Sequence, residues 1–286
     1  KDSGGYFRYC VVQENGLNHI EFGECSQDVY KVYHCVNYSV FVVLDGHGEL
    51  GYEIADKIGE LLVHTLIVRL DSWYHELSLN KDIKNIRVHF ENELRNVFQS
   101  TQNVINTDSR AMESGSTATV AVLVKDIDMP SNLCTLYIAS VGDSSAFVME
   151  FNDCSSAEFV GDVHRVTNAT ECERILKCSN GAAIIRGEYV VNRLDESKVL
   201  NVTRCFGDVD MQCCGIICEP QINVFDINLK SNPKMLLIGS DGLWDSPLLH
   251  CESRLKMRDR VIEKISEQMV QDRDDSWIDF VCTQLM

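Results

Sequence analysis

Three short apolar runs in this chain end in an aspartate that sits beside glycine. Asp45 closes Phe41-Val42-Val43-Leu44 and is followed by Gly46-His47-Gly48. Asp143 closes the run from Leu136 to Gly142. Asp241 closes the run from Leu236 to Ser240 and is followed by Gly242-Leu243-Trp244-Asp245. A short apolar run that stops at a turn reads as a buried strand. One such ending is an ordinary hairpin. Several in one domain suggest that strand ends bring carboxylates together, and carboxylates at close range repel and raise each other's pKa unless a cation compensates. Hard oxygen ligands of this kind suit magnesium or manganese, so the first reading is a metal-dependent enzyme.

Composition narrows the class. With 286 residues the chain can build a large core. No low-complexity linker divides it and its 4 prolines mark no boundary, so one domain over residues 1–286 is expected. The net charge of -17 argues against a nucleic-acid partner, which requires a basic face. Bound divalent metal would neutralise part of the acidity, and solvated surface accounts for the rest. The 13 cysteines are odd in number and form no Cys-x-x-Cys pair. Cys213, Cys214 and Cys218 cluster, but no His lies near enough in sequence to complete a zinc site. Reduced thiols are expected, and with them an intracellular location, cytoplasmic or nuclear. The apolar stretch from Leu61 to Val68 contains His64 and is too short to cross a bilayer. The chain begins at Lys1 and not at Met, so it is expected to be a trimmed segment. A monomer is expected.

Periodicity gives the order of elements. Residues 7–13 and 40–45 read as strands. Residues 51–70 carry a helical pattern through Ile54, Ile58, Leu61, Leu62 and Leu66, and residues 84–106 repeat it. Residues 117–124 and 135–150 are β-rich, with Val141-Gly142-Asp143-Ser144 as a bend inside a long hairpin. Residues 170–177 read as helix, 182–192, 215–225 and 235–240 as strands, 254–271 as helix, and 277–284 as a last strand. Helices bunch between runs of strands, which predicts a layered α+β domain in preference to a doubly wound parallel sheet.

Each motif has a bland alternative. Asp45-Gly46-His47-Gly48 with Gly51 can hold two cations and supply a proton from His47, or it can be a strand-to-helix turn with Asp45 as the helix cap. Ser114-Gly115-Ser116-Thr117-Ala118 reads as close sheet packing ahead of a phosphate cradle. Asp143 is equally a structural residue or a ligand. Asp241 and Asp245 lie four residues apart around a turn and can face one site, with Trp244 between them as core.

Taken in order, these motifs resemble the metal-dependent serine/threonine protein phosphatases of type 2C. The landmarks are Gln27-Asp28, Asp45-Gly46-His47-Gly48, Gly115-Ser116-Thr117-Ala118, Leu136 to Ser144, Arg204 to Asp208, Glu219-Pro220 and Ser240 to Asp245. No one of them is decisive, but seven in sequence along nearly the whole chain are specific. The Gln-Asp form of the first motif is similar to forms common in plants and protists.

The resemblance implies a four-layer αββα sandwich of two antiparallel sheets flanked by helices. It implies two magnesium or manganese ions and a weaker third. Asp45 would bridge two metals. Asp241 and a C-terminal aspartate would hold one of them, and the Gly46 carbonyl the other. Asp28, and with it Gln27, would bind through metal-held water, and Asp143 and Asp245 match positions linked to the third ion. Asp275 is the preferred C-terminal ligand and Asp274 the runner-up. The substrate implied is a phosphoprotein, hydrolysed at phosphoserine or phosphothreonine by metal-activated water, with His47 protonating the leaving oxygen.

Two positions depart from the family. Gly23, beside Glu24, stands where an Arg that grips phosphate is frequent, and Ser145 stands where Asp-Ser-Arg is usual. The first departure leaves room for a rival reading, a catalytically inactive module that binds a partner protein. It also predicts weak binding of phosphate esters unless Arg186, Arg193 or another basic group folds into the site.

Overall fold

The computed structural model describes residues 9–13, 26–79, 83–125, 133–150, 153–228, 234–246 and 248–271. Its strands are β1 (Asp28–His34), β2 (Tyr38–His47), β3 (Gly115–Ser116), β4 (Ala118–Lys125), β5 (Leu133–Val141), β6 (Ser145–Glu150), β7 (Asp153–Val160), β8 (Ala183–Arg186), β9 (Tyr189–Asn192), β10 (Val199–Leu200), β11 (Phe206–Gly207), β12 (Gln221–Asn228) and β13 (Lys234–Gly239). The longer helices are α1 (Gly51–Leu79), α2 (Ile83–Ile105), α3 (Ala169–Cys178) and α4 (Arg254–Gln271).

Side-chain alternation sorts these strands into layers. In β2, β4 and β5 one face carries Val40, Val42, Leu44, Val120, Val122, Tyr137 and Ala139, which pack under α1 and α2 with Ile54, Ile58, Leu62, Phe90 and Leu94. The opposite face of the same sheet carries Ala121, Leu136 and Ile138, which meet Ala146, Val148, Leu236 and Ile238 of a second sheet. That sheet has the order β13-β6-β7. Its far face, with Phe147, Met149, Met235 and Leu237, packs against Val261 and Ile265 of α4. Because successive strand residues point to opposite faces, strands flanked by apolar layers on both sides read as near-continuous hydrophobic runs. The result is two antiparallel sheets packed together with helices outside each, the α+β sandwich expected from the sequence. A side unit of β8, β9 and β10 with α3 has its own small core around Ile175, Val190, Val202 and Ile216.

Several expectations change. The bend at 141–144 does not lie within a hairpin: β5 pairs with β4 and β12, whereas β6 pairs with β13 and β7. The chain crosses from one sheet to the other there, helped by Gly142 at φ 91, a value a side chain disfavours. Residues 9–13 join no ladder among the described residues; Tyr9 instead sets its ring edge-on to Phe41, with centroids 5.8 Å apart. The expected strand at 215–225 begins only at Gln221, because Gly215 at φ 87 terminates a 3-10 turn. The strands β1 and β7 were missed by the periodicity. The proposed last strand at 277–284 lies outside the described residues.

Candidate active site

The geometry is set by a change of partner along β2. From Tyr38 to Val43 this strand pairs with β4, and at Gly46 and His47 it pairs with β3. Asp45 falls at the switch. Its backbone N–H donates to Thr117 Oγ1 at 3.2 Å, and its carbonyl accepts from Thr117 N at 3.0 Å and Ser116 Oγ at 3.1 Å. Asp45 is therefore a strand residue and not the cap of α1, which starts at Gly51. The 114–118 stretch serves close packing, as read from its small residues: a side chain on Gly115 would collide with the Asp208 carboxylate and the Phe206 carbonyl.

On its other edge β2 pairs with β1, and Asp28 stands directly opposite Asp45. Like charges so placed destabilise a sheet. Asp143, at the crossing after β5, and Asp241, at the start of the helical turn Asp241–Trp244, complete the group. Carboxylate oxygens of Asp45, Asp143 and Asp241 all lie within 4.8 Å of one another. Burial, the charges of Asp241, Asp28 and Asp143, and a side-chain hydrogen bond with Asp241 push the Asp45 carboxyl well above its ordinary pKa. Ser240 Oγ donates to Asp28 Oδ2 at 2.9 Å, tying the two ends of the cluster together. Asp245 N–H donates to the Asp241 carbonyl at 2.7 Å, which brings Asp245 round onto the same side of the turn. Asp274, Asp275, Gly23 and Glu24 lie outside the described residues.

Sequence reasoning missed one member of this site. Arg165 reaches into the acidic cluster, with Nε 2.6 Å from Asp143 Oδ2, Nη2 3.0 Å from Asp241 Oδ2, and both terminal nitrogens 3.3 Å from Asp245 Oδ2. Burial would weaken its charge, but the three carboxylates hold it firmly protonated. Nothing local in the sequence marks this residue. It is aimed by His164, whose N–H donates to the Gly142 carbonyl at 3.0 Å and whose Nδ1 accepts from Gly142 N–H at 3.1 Å. Burial, aided by Arg204 and Arg174, lowers the His164 pKa to about 4 and keeps the ring neutral. Arg186 instead pairs with Glu196 on the surface at 2.7 Å, and Arg193 is exposed. At the second departure, Ser145 Oγ accepts from Arg254 Nη2 of α4 at 3.2 Å.

His47 lies at the end of β2, its Nε2 2.6 Å from Asp208 Oδ2. Burial alone would lower its pKa, but Asp208, helped by Asp143 and Asp241, raises it above the ordinary value. The surrounding carboxylates thus favour the protonated form of the imidazole.

Comparison with known proteins accords with this arrangement. The family model described as "Protein phosphatase 2C" matches residues 19–247. The chain is 27% identical over 210 residues to the integrin-linked kinase-associated serine/threonine phosphatase 2C of Bos taurus, covering 72% of this chain and 50% of that protein. It is 28% identical over 207 residues to probable protein phosphatase 2C 76 of Arabidopsis thaliana, covering 72% of this chain and 41% of that one. Among solved structures, the serine-threonine phosphatase 2C of Toxoplasma gondii superposes with a TM-score of 0.64 at 16% identity, over 91% of this chain and 85% of that one. The chain belongs to the protein phosphatase 2C family, and it spans about half the length of the curated relatives it matches. This family is metal-dependent, and the acidic group described above has the oxygen chemistry for a metal. No helix among the described residues is long and apolar enough to cross a membrane.

Proposed function

We propose that this chain is the catalytic domain of a protein serine/threonine phosphatase that uses two magnesium or manganese ions. The observation that carries the reading is the convergence of Asp45, Asp143 and Asp241 within 4.8 Å, with Asp28 opposite Asp45. The raised pKa of Asp45 indicates a carboxylate that lacks its counter-charge, and an all-oxygen set suits a hard divalent cation.

Asp45 would serve both ions, with Asp241 and, outside the described residues, Asp275 as further ligands to one, the Gly46 carbonyl to the other, and Asp28 binding through water. Asp143 and Asp245 would hold a weaker third ion. Metal bound there supplies Lewis-acid polarisation of phosphoryl oxygens and acidifies water for in-line attack. Arg165, which lies among Asp143, Asp241 and Asp245, would orient the phosphate with its guanidinium fork. His47, kept protonated by Asp208, delivers its proton to the leaving serine or threonine oxygen.

The test is phosphate release from a phosphothreonine peptide with manganese, with manganese plus excess chelator, and with His47→Gln. Release that requires the metal is expected. His47→Gln should lose roughly 10²–10⁴-fold on alkyl phosphates and less on an aryl phosphate, whose leaving group needs little protonation. Activity that survives chelation would sink the metal mechanism. Equal losses on both ester types would remove His47 as the proton donor. No release under any condition would favour a partner-binding module.

A further inference from the structure

The residues behind His47 form a second donor set, different in chemistry from the aspartate cluster. His47 Nε2 is 2.6 Å from Asp208 Oδ2, and Cys205 Sγ donates to the same oxygen at 3.1 Å. One ligand atom from each of the three lies within 4.8 Å of the others. Zinc bonded tetrahedrally to nitrogen, sulfur and oxygen at about 2.0–2.3 Å sets its ligand atoms roughly 3.3–3.6 Å apart, so the three atoms need to part by about half an ångström to admit it. Cys205 and Asp208 are 2% and 4% exposed, and the partly exposed His47 leaves an approach from solvent.

The backbone holds the set in place. Asp208 adopts φ 43, a left-handed conformation uncommon outside glycine, and its N–H donates to the Ser114 carbonyl at 3.1 Å. Strain of this kind persists where the surroundings over-determine it. Gly115 lets the two side chains approach, because a side chain there would strike both Asp208 and His47.

From this juxtaposition the geometry points to a regulatory site for zinc, or a similar thiophilic divalent cation, formed by His47, Cys205 and Asp208. A nitrogen, sulfur and carboxylate set favours zinc over magnesium, whereas the neighbouring aspartates favour the reverse. Binding displaces the thiol proton and any imidazole proton to solvent, and forms bonds from Sγ, Nε2 and a carboxylate oxygen to the ion. The His47 ring nitrogen that faces Asp208 then carries metal in place of a proton. Inhibition of turnover by zinc rests on the reading of His47 as proton donor; the metal site itself does not.

The test uses the whole chain in saturating magnesium, with cobalt(II) as the probe and its thiolate charge-transfer absorbance as the readout. One equivalent of cobalt should produce the band, and zinc should displace it. Cys205→Ser should abolish the band, and His47→Gln should weaken cobalt binding by about tenfold or more. Cys213→Ser and Cys214→Ser should leave it intact. The two site variants protect the test against misfolding, because His47 is partly exposed even if Cys205→Ser does not fold. In the activity arm, zinc should slow phosphate release by the wild type, and Cys205→Ser should raise the zinc concentration needed. Absence of the band, or a band that survives both Cys205→Ser and His47→Gln, overturns the site. A band without any zinc effect on turnover keeps the site and overturns its inhibitory role.

Discussion

Two regions of this molecule gather charged side chains around carboxylates, and they do so in opposite ways. In the side unit, Glu171 is 2% exposed and receives Arg204 Nη2 at 2.6 Å, Arg174 Nη2 at 2.8 Å and Thr203 Oγ1 at 2.8 Å. Burial would raise its pKa, but the two guanidinium groups hold it well below the usual carboxylate range. The guanidinium groups are themselves satisfied: Arg174 also donates to the Gly215 and Thr203 carbonyls, and Arg204 to that of Glu219. At the strand ends the ratio inverts. Asp143, Asp241 and Asp245 share one Arg165, and Asp45 is pushed upward by its neighbours. A buried charge with full complements is a structural tie; a partly exposed cluster with surplus negative charge has the electrostatics a cation site requires.

The widest separation between the regions should appear in a crossed pair of variants. Asp45→Ala should cut metal-dependent turnover by orders of magnitude while leaving the denaturation midpoint in chelator unchanged or raised, since one repelling charge is gone. Glu171→Gln should do the reverse in its largest effect, lowering stability by about 3 kcal/mol because two partly buried guanidinium groups lose their counter-charge. Denaturant titration in chelator and steady-state rates in manganese decide it. If Asp45→Ala unfolds as readily as Glu171→Gln, the strand-end cluster is structural and the contrast fails.

His164 links the two regions, and acid is the probe for it. Its pKa falls from an ordinary 6.5 to about 4 in the folded protein. The unfolded chain therefore takes up the proton first, so stability is lost as pH falls from 6.5 toward 4 and loses nothing further below. That gap corresponds to about 3 kcal/mol. Asp45, with its raised pKa, acts with the opposite sign, because protonation relieves repulsion in the folded state. The His164 contribution is isolated by comparing the pH dependence of stability in wild type and His164→Asn, and by an NMR titration of the ring. An imidazole that titrates near 6.5 would show that His164 does not sit neutral against Gly142.

The layers were legible because strand periodicity and helix periodicity are local. The helix at 254–271 agrees at both ends, and β4 departs by one residue at each end. Asp45, Asp143 and Asp241 were legible because each ends an apolar run. The crossing at Gly142 was not, because hydrophobicity alone does not say which sheet the next strand joins. Arg165 was invisible for a related reason. It lies in a loop without periodicity, and its placement depends on His164 gripping a turn 22 residues earlier. Cys205 beside Asp208 and His47 was likewise hidden, since the cysteine and histidine that meet there are far apart in sequence.

Arg165 offers the finest test of the contrast, because it is a guanidinium set among three carboxylates and has two jobs to distinguish. If it grips substrate phosphate, Arg165→Met removes a charge-assisted bond worth about 1.5–3 kcal/mol, and KM for a small phosphate ester should rise roughly ten- to a hundredfold. Turnover should change less, because ground state and transition state lose the contact together. The same variant should bind manganese more tightly in the absence of phosphate, since Asp143, Asp241 and Asp245 no longer have a competing partner. Gly23→Arg sharpens the answer. In the wild type it should lower KM little, because Arg165 already supplies the cation; in the Arg165→Met background it should restore part of the loss. If Arg165→Met leaves both KM and manganese affinity unchanged, the guanidinium is only a tie between loops, and the strand-end cluster resembles the Glu171 region more closely than its charge balance indicates.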